Sequence, residues 1–188
     1  EIFYVFSYST FLPLHGMDII IEAANLLKNL PIRFIIVGGK NKIFNPYSIK
    51  NESLTLDNIT HILWIDFNEL PVYIRSADLC LGGPFGNTGQ GKRVITGKTL
   101  QFLACAKPTV IGRGLEDYNF EDRKNCILVT QGRHNSLADA VQWAYENRTI
   151  LEEMGKNGLE LYKKKFSEKV VSKSMLSLLN NLNEYIYS

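Results

Sequence analysis

Between Gly82 and Val94 the chain runs GGPFGNTGQGKRV, and Lys98 follows shortly after. Glycines at 82, 83, 86, 89 and 91 free the backbone to take positive φ, which lets amide N–H groups converge into an anion nest. A helix starting near Gly97 would aim its positive end, about half an elementary charge, at the same place. Arg93 and Lys98 add two full charges. Together these match a diphosphate, and each charge-assisted hydrogen bond to one contributes ~1.5–3 kcal/mol. The plainer reading is a glycine loop with two solvated cations. The loop's place at the end of a strand favours chemistry, because binding residues concentrate on loops held by a rigid scaffold.

Other candidates stand just after predicted strands: Ser9, Thr10 and His15 after the first, Gly38 and Gly39 after the second, and Gly112, Arg113 and Gly114 after the fifth. His15 and Gly16 open a helix. The histidine either donates to a ligand above the sheet or packs at the helix entry. Gly38-Gly39 reads equally as a strand-to-loop turn. It is neither a Walker loop, since no Gly-Lys-Ser/Thr follows, nor a G-x-G-x-x-G fingerprint. Asp66 reads as a helix cap, and Trp64 and Trp143 as core residues.

The elements that must position these residues follow from hydrophobic periodicity. Apolar runs at 2–8, 32–37, 60–65, 78–82, 108–112 and 126–129 predict six strands. Helical spacing predicts helices at about 16–29, 68–76, 97–106, 134–147, 149–164 and 168–185. The segment 40–58 is polar and reads as a loop with a short helix. The strands are short, β-branched and apolar on both faces, as in a sheet covered on both sides. Crossovers of this length imply parallel pairing. The expected fold is α/β: a Rossmann-like, open, doubly wound parallel sheet of about six strands, with ligands bound at the strands' carboxyl ends.

Composition excludes several classes. The chain has 188 residues, 45% hydrophobic and 21% charged, which suits one soluble domain. A formal charge of +2 gives no argument for nucleic acid. No apolar run approaches the ~20 residues that span a bilayer. Cys80, Cys105 and Cys126 form no Cys-x-x-Cys pair, and His15, His61 and His134 are scattered, so neither a disulfide framework nor a metal is expected. The chain opens inside what reads as a strand, the mark of a fragment.

Taken in order, these segments resemble the C-terminal domain of the group 1 (family 4) glycosyltransferases, which have the GT-B fold. FSYSTFLPLHGMDIIIEAANLL resembles the family's opening strand, loop and helix, and RFIIVGG its strand ending in Val-Gly-x-Gly. ITHILWIDFNELPVYIRSADLCLG resembles its strand, Glu-Leu-Pro and Ala-Asp run. KTLQFLACAKPTVIG resembles Glu-Ala-Met-Ala-x-Gly-Lys-Pro-Val-Val, and NCILVTQGRHNSLADAVQWAYENRTILEEMGKNG its closing strand and helices. The resemblance covers essentially the whole chain.

The resemblance implies a single donor-binding domain over residues 1–188. Its terminal helix, about 168–186, would cross back towards an N-terminal GT-B domain that is not part of this chain. The activity implied is retaining transfer from a nucleoside diphosphate sugar to a glycan or lipid-linked acceptor, without a metal or other cofactor. The expected location is cytoplasmic, with peripheral contact to the cytoplasmic membrane face. Gly38 and Gly39 would line the diphosphate, and Phe85, Gly86, Asn87 and Thr88 would approach the donor sugar. Arg93 and Lys98 would neutralise the departing diphosphate. Gln101 falls where the family has the second glutamate of its Glu, seven residues, Glu pattern, and would hold the ribose. Arg93 stands in place of the first glutamate, and Thr10 and His15 in place of the usual arginine and lysine. Two other readings remain: a non-catalytic Rossmann-like nucleotide-binding module, and half of a UDP-sugar 2-epimerase.

Overall fold

Alternating side chains on the first strand, β1 (Phe3–Ser9), face two separate cores. Phe3 and Val5 point into one cluster and Phe6 into the other. The computed structural model describes residues 1–39 and 57–187, with side chains as far as residue 181. The expectation for 40–58 therefore lies almost wholly outside the described residues. After β1 come α1 (Met17–Leu26), β2 (Ile32–Gly38), β3 (Ile59–Ile62), α2 (Leu70–Ser76), β4 (Leu79–Leu81), α3 (Gly97–Ala104), β5 (Thr109–Gly112), β6 (Ile127–Val129), α4 (His134–Glu146), α5 (Arg148–Lys165) and α6 (Glu168–Tyr187).

The strands form one six-stranded sheet in the order β3-β2-β1-β4-β5-β6, and every pair is parallel. This is the doubly wound arrangement expected from the sequence. Helices α1 and α4 cover one face and α2 and α3 the other. Phe3, Phe6, Phe34 and Phe102 are fully buried, and each contributes ~1.5–3 kcal/mol relative to exposure. The three cysteines are free thiols, and burial pushes those of Cys80 and Cys126 well above the usual range. Among the described residues no helix is long and apolar enough to cross a membrane.

One strand is shorter than its apolar run suggests. The stretch 60–65 predicts a strand, but pairing stops at Val37↔Ile62, because β2 itself ends at Gly38 and β3 has no other partner among the described residues. The chain then leaves the sheet, and Leu63 and Trp64 are 62% and 63% exposed. Trp64 is thus a surface residue at the carboxyl edge, not a core one. Likewise α2 begins at Leu70 rather than 68, with Pro71 in its first turn, a position that asks nothing of the missing N–H.

Two backbone contacts lock the loops after β1 and β4 together. Gly86 donates its amide to Leu14 O at 3.0 Å, and a Cβ on Gly86 would lie 2.0 Å from Pro13 O. Gly16, at φ +63°, ends a 3-10 turn over Pro13–His15, and its own Cβ position lies 2.5 Å from Gly86 N. Side chains are excluded at both places so that the 3-10 turn, and His15 on it, can sit against the second loop. Gly86→Ala is expected to lower unfolding free energy by about 1–3 kcal/mol, as overpacking against rigid backbone does. Urea denaturation checks this; an unchanged midpoint would contradict the contact.

Candidate functional site

Strand order reverses at β1, which pairs with β2 on one side and with β4 on the other. The carboxyl ends of β1 and β2 bound a cavity of about 360 Å³. Its floor is the end of β1 and the following turn, with Tyr8, Ser9, Thr10 and His15. The start of α3 forms one wall, through Thr96, Gly97 and Lys98. The opposite wall is apolar and comes from β2 and the β3–α2 connection, including Trp64, Ile65 and Phe67. Among the described residues no Asp or Glu lines the cavity.

Lys98 is the chemical centre. Its side chain is 6% exposed and its Nζ has no hydrogen-bond partner among the described residues. Burial pushes its pKa down to about 7. It is the second residue of α3, where the helix dipole favours anions and disfavours cations. Buried ammonium groups are normally paired, so this one fits a site completed by an anion.

The helix start that carries Lys98 is fixed by two threonines. Thr96 caps α3, donates its hydroxyl to Gly82 O at 2.7 Å, and stands 2.9 Å from the Thr99 hydroxyl. Thr99 in turn reaches Gly83 O at 3.5 Å. The end of β4 is therefore tied to the first turn of α3 by side-chain hydroxyls. A Thr-x-x-Thr pair ahead of an apolar run is an N-cap signal that the sequence itself carries.

His15 is held in one protonation form. Leu12 N–H donates to Nδ1 at 3.2 Å, and Ser9 Oγ lies 2.8 Å from the same nitrogen, itself accepting from Phe11 N–H. Nδ1 is thus an acceptor, and the ring proton sits on Nε2. Burial, with a smaller contribution from Lys98, lowers the pKa to about 4. At neutral pH His15 is a neutral donor, not a cation. Gly38 has φ +123°, and a Cβ there would lie 1.8 Å from Ser9 O, so glycine is required where β2 passes β1. Its carbonyl is held by His61 Nε2 at 2.8 Å.

Of the residues singled out from sequence, Ser9, Thr10, His15, Gly38 and Lys98 line this cavity. The others stand elsewhere. Gly39 packs its backbone on the Phe11 ring. Phe85 is 1% exposed in the core. Thr88 Oγ1 accepts from Gly91 N–H at 2.9 Å, and Asn87 lies against Gly132. Arg93 is exposed, on a 3-10 turn over Gly91–Arg93, and is not among the lining residues. Gln101 Oε1 accepts from the Tyr8 hydroxyl, whose pKa burial raises to about 12. Arg113 lines a separate cavity of about 300 Å³ at the ends of β5 and β6, where Glu116 and Asp117 offset its charge and that of Lys92.

The glycine loop does not form the expected nest. Gly82 and Gly83 amides donate to Val110 O, Gly86 to Leu14 O, Thr88 to Gly86 O and Gly91 to Thr88 Oγ1. These donors are used within the protein, and of the five loop glycines Gly83 alone takes a positive φ. The start of α3, with Lys98, lines the cavity instead of the loop. Tyr8, Trp64, Phe67 and Thr96 are lining residues that sequence reasoning misses. Among the described residues, no cluster of three or more His, Cys, Asp or Glu could hold a metal ion.

The family model described as "Glycosyl transferases group 1" matches residues 2–147. The chain therefore belongs to the group 1 glycosyl transferase family. No curated protein matches the sequence. Among solved structures, the chain is similar to sucrose-phosphate synthase of Thermosynechococcus elongatus, with TM-score 0.77 and 21% identity over 98% of this chain and 46% of that one. It is similar to Anabaena HepE, solved with UDP and glucose, at TM-score 0.77 and 18% identity over 96% of this chain and 48% of that one. It is also similar to the C-terminal domain of the group 1 family protein LpcC of Francisella tularensis, at TM-score 0.70 and 19% identity, covering 89% and 87%. The chain spans just under half the length of the first two. The shared feature is the fold, one half of a GT-B architecture.

The buried amine makes a stability prediction. A lysine whose folded pKa is lowered leaves the unfolded chain binding more protons above that pKa, so unfolding free energy rises with pH. Lys98→Met is expected to stabilise the free chain at pH 7 by about 1–4 kcal/mol. Its advantage over wild type should shrink by up to about 1.4 kcal/mol per pH unit as pH rises from ~7 towards ~9. Urea denaturation of both proteins measures the gap. A gap that is absent, or that widens with pH, would contradict an uncompensated buried ammonium.

Proposed function

We propose that this chain is the donor half of a glycosyltransferase, binding a nucleoside diphosphate sugar in the cavity between β1, β2 and α3. The observation that carries this reading is Lys98, a buried lysine amine with no hydrogen-bond partner among the described residues, at a helix start in the crevice where doubly wound folds bind ligands. Lys98 Nζ, the α3 amides and His15 Nε2–H would bind the diphosphate. The apolar wall with Trp64 and Phe67 would take the nucleoside. The structure of HepE in complex with UDP and glucose supports the same class of ligand here.

The reaction would be transfer with retention of anomeric configuration to a glycan or lipid-linked acceptor. As the anomeric carbon–phosphate bond breaks, negative charge grows on the diphosphate, and Lys98 and the helix end lower its energy. This needs no metal. Among the described residues no carboxylate lines the cavity, so a group that handles the acceptor hydroxyl would belong to the other half of the enzyme. In α6, Val171, Met175, Leu178 and Leu179 form one exposed apolar stripe, which would pack against that half. Any membrane contact would be peripheral and made by the complete enzyme at the cytoplasmic face.

Gly39, Phe85, Gly86, Asn87 and Thr88 would then shape the site from behind, and Gln101, already bonded to Tyr8, would offer its amide N–H₂ to the ribose. Arg93 would act from the rim. Two-dimensional NMR of labelled chain with UDP, GDP or ADP tests the reading. One nucleotide should shift signals of His15, Gly38 and Gly97. Lys98→Met should remove the shifts, and Arg93→Ala should weaken binding only a few-fold, as for a screened surface cation. No shift with any of the three at millimolar concentration would overturn the assignment. The isolated chain should transfer no sugar, and turnover by it alone would contradict the division of labour.

A further inference from the structure

We propose that the cleft takes up its nucleoside diphosphate together with one proton from solvent, and that this proton lodges on Lys98 rather than on His15. The inference rests on the nucleotide reading above and adds to it the protonation state in which the site works.

The geometry decides between the two bases. Among the described residues two titratable nitrogens face the cavity, His15 on the 3-10 turn and Lys98 on α3. From β1 the cavity also meets the Tyr8 phenol, which is protonated at neutral pH. The residues supplied by β2, the β3–α2 connection and α2 are all uncharged. His15 Nδ1 already accepts Leu12 N–H and stands at hydrogen-bond distance from Ser9 Oγ. A proton on Nδ1 would face the Leu12 amide and break that bond, so the imidazole stays neutral with and without ligand.

Lys98 meets no such obstacle. In the free chain its Nζ has no acceptor among the described residues, and both burial and the α3 dipole favour the neutral amine. Burial indeed holds its pKa at about 7. A diphosphate beside Nζ reverses the balance, because an adjacent opposite charge favours the charged form. The step forms one N–H bond on Nζ, takes its proton from the buffer and breaks no other covalent bond. Above pH ~6 the terminal phosphate is itself largely ionised, so over the working range the ligand is the anion and the protein is the proton acceptor.

The consequence is an affinity that falls as pH rises. Calorimetric titration of the chain with UDP, GDP and ADP, in buffers of different ionisation enthalpy between about pH 7 and 8.5, tests this. For the nucleotide that binds best, wild type should take up close to one proton per ligand at the upper end, and affinity should approach a tenfold loss per pH unit. His15→Gln should weaken binding but keep the slope. Lys98→Met should abolish the slope in whatever binding remains; if it binds nothing, the His15→Gln slope makes the assignment. Binding that is constant across the range with no net proton uptake overturns this inference and leaves the nucleotide reading intact. A slope lost in His15→Gln assigns the proton to His15 and overturns it as well. No binding at any pH by any of the three nucleotides overturns the nucleotide reading and this inference with it.

Discussion

A lysine amine held out of water with no acceptor for its charged form is unfavourable in any folded protein, and among the described residues the fold builds one at Lys98. Lys98 lies at the start of α3, whose dipole repels it. Thr96 and Thr99 fasten that helix start to the end of β4 through Gly82 and Gly83, so the lysine cannot escape by unwinding a turn. Gly86 and Gly16 pack backbone on backbone and bring His15 to the same cavity. Each of these contacts stabilises locally, and together they hold in place a side chain that the free chain would be more stable without. That pattern, stability given up at one position by an otherwise consistent structure, is what a functional site imposes.

The cavity is built as two unlike halves. One offers an amine, an imidazole N–H and a helix start; the other offers Val37, Ile65 and the exposed rings of Trp64 and Phe67. A small inorganic anion would use only the first half, and a hydrocarbon only the second. A nucleoside phosphate would use both, as the proposed reading requires. Among the described residues the lining has no carboxylate. Such a cavity is suited to binding and to stabilising a leaving group, and it would leave the acceptor's chemistry to the other half of a two-domain enzyme.

The sheet is legible in the sequence because strands buried on both faces are mostly apolar, and six such segments recur along the chain. The edges are less so. THILWI closes on four successive apolar residues, and nothing in them marks where β2 ceases to offer partners, so Trp64 reads as core although it lies beyond the last pair. The five glycines after β4 suggest a nest, but glycine content does not say where amide protons go, and these go to Val110, Leu14, Gly86 and Thr88. Arg93 and Lys98 look equivalent as cations. The helix boundary between them separates the two, leaving Arg93 exposed and burying Lys98. Which of two nearby charges is desolvated depends on packing with β1 and β2, remote in sequence and invisible to local pattern.

The most direct test of the account is the titration of the Lys98 ammonium itself, followed by carbon-detected NMR of chain labelled in its lysine side chains, with Lys98→Met assigning the signal. The account predicts a midpoint near 7 in the free chain, moving upward by at least about one unit when a nucleoside diphosphate is added. A midpoint near the ordinary lysine value of about 10.4, unmoved by nucleotide, would show a solvated amine and remove the basis for the site.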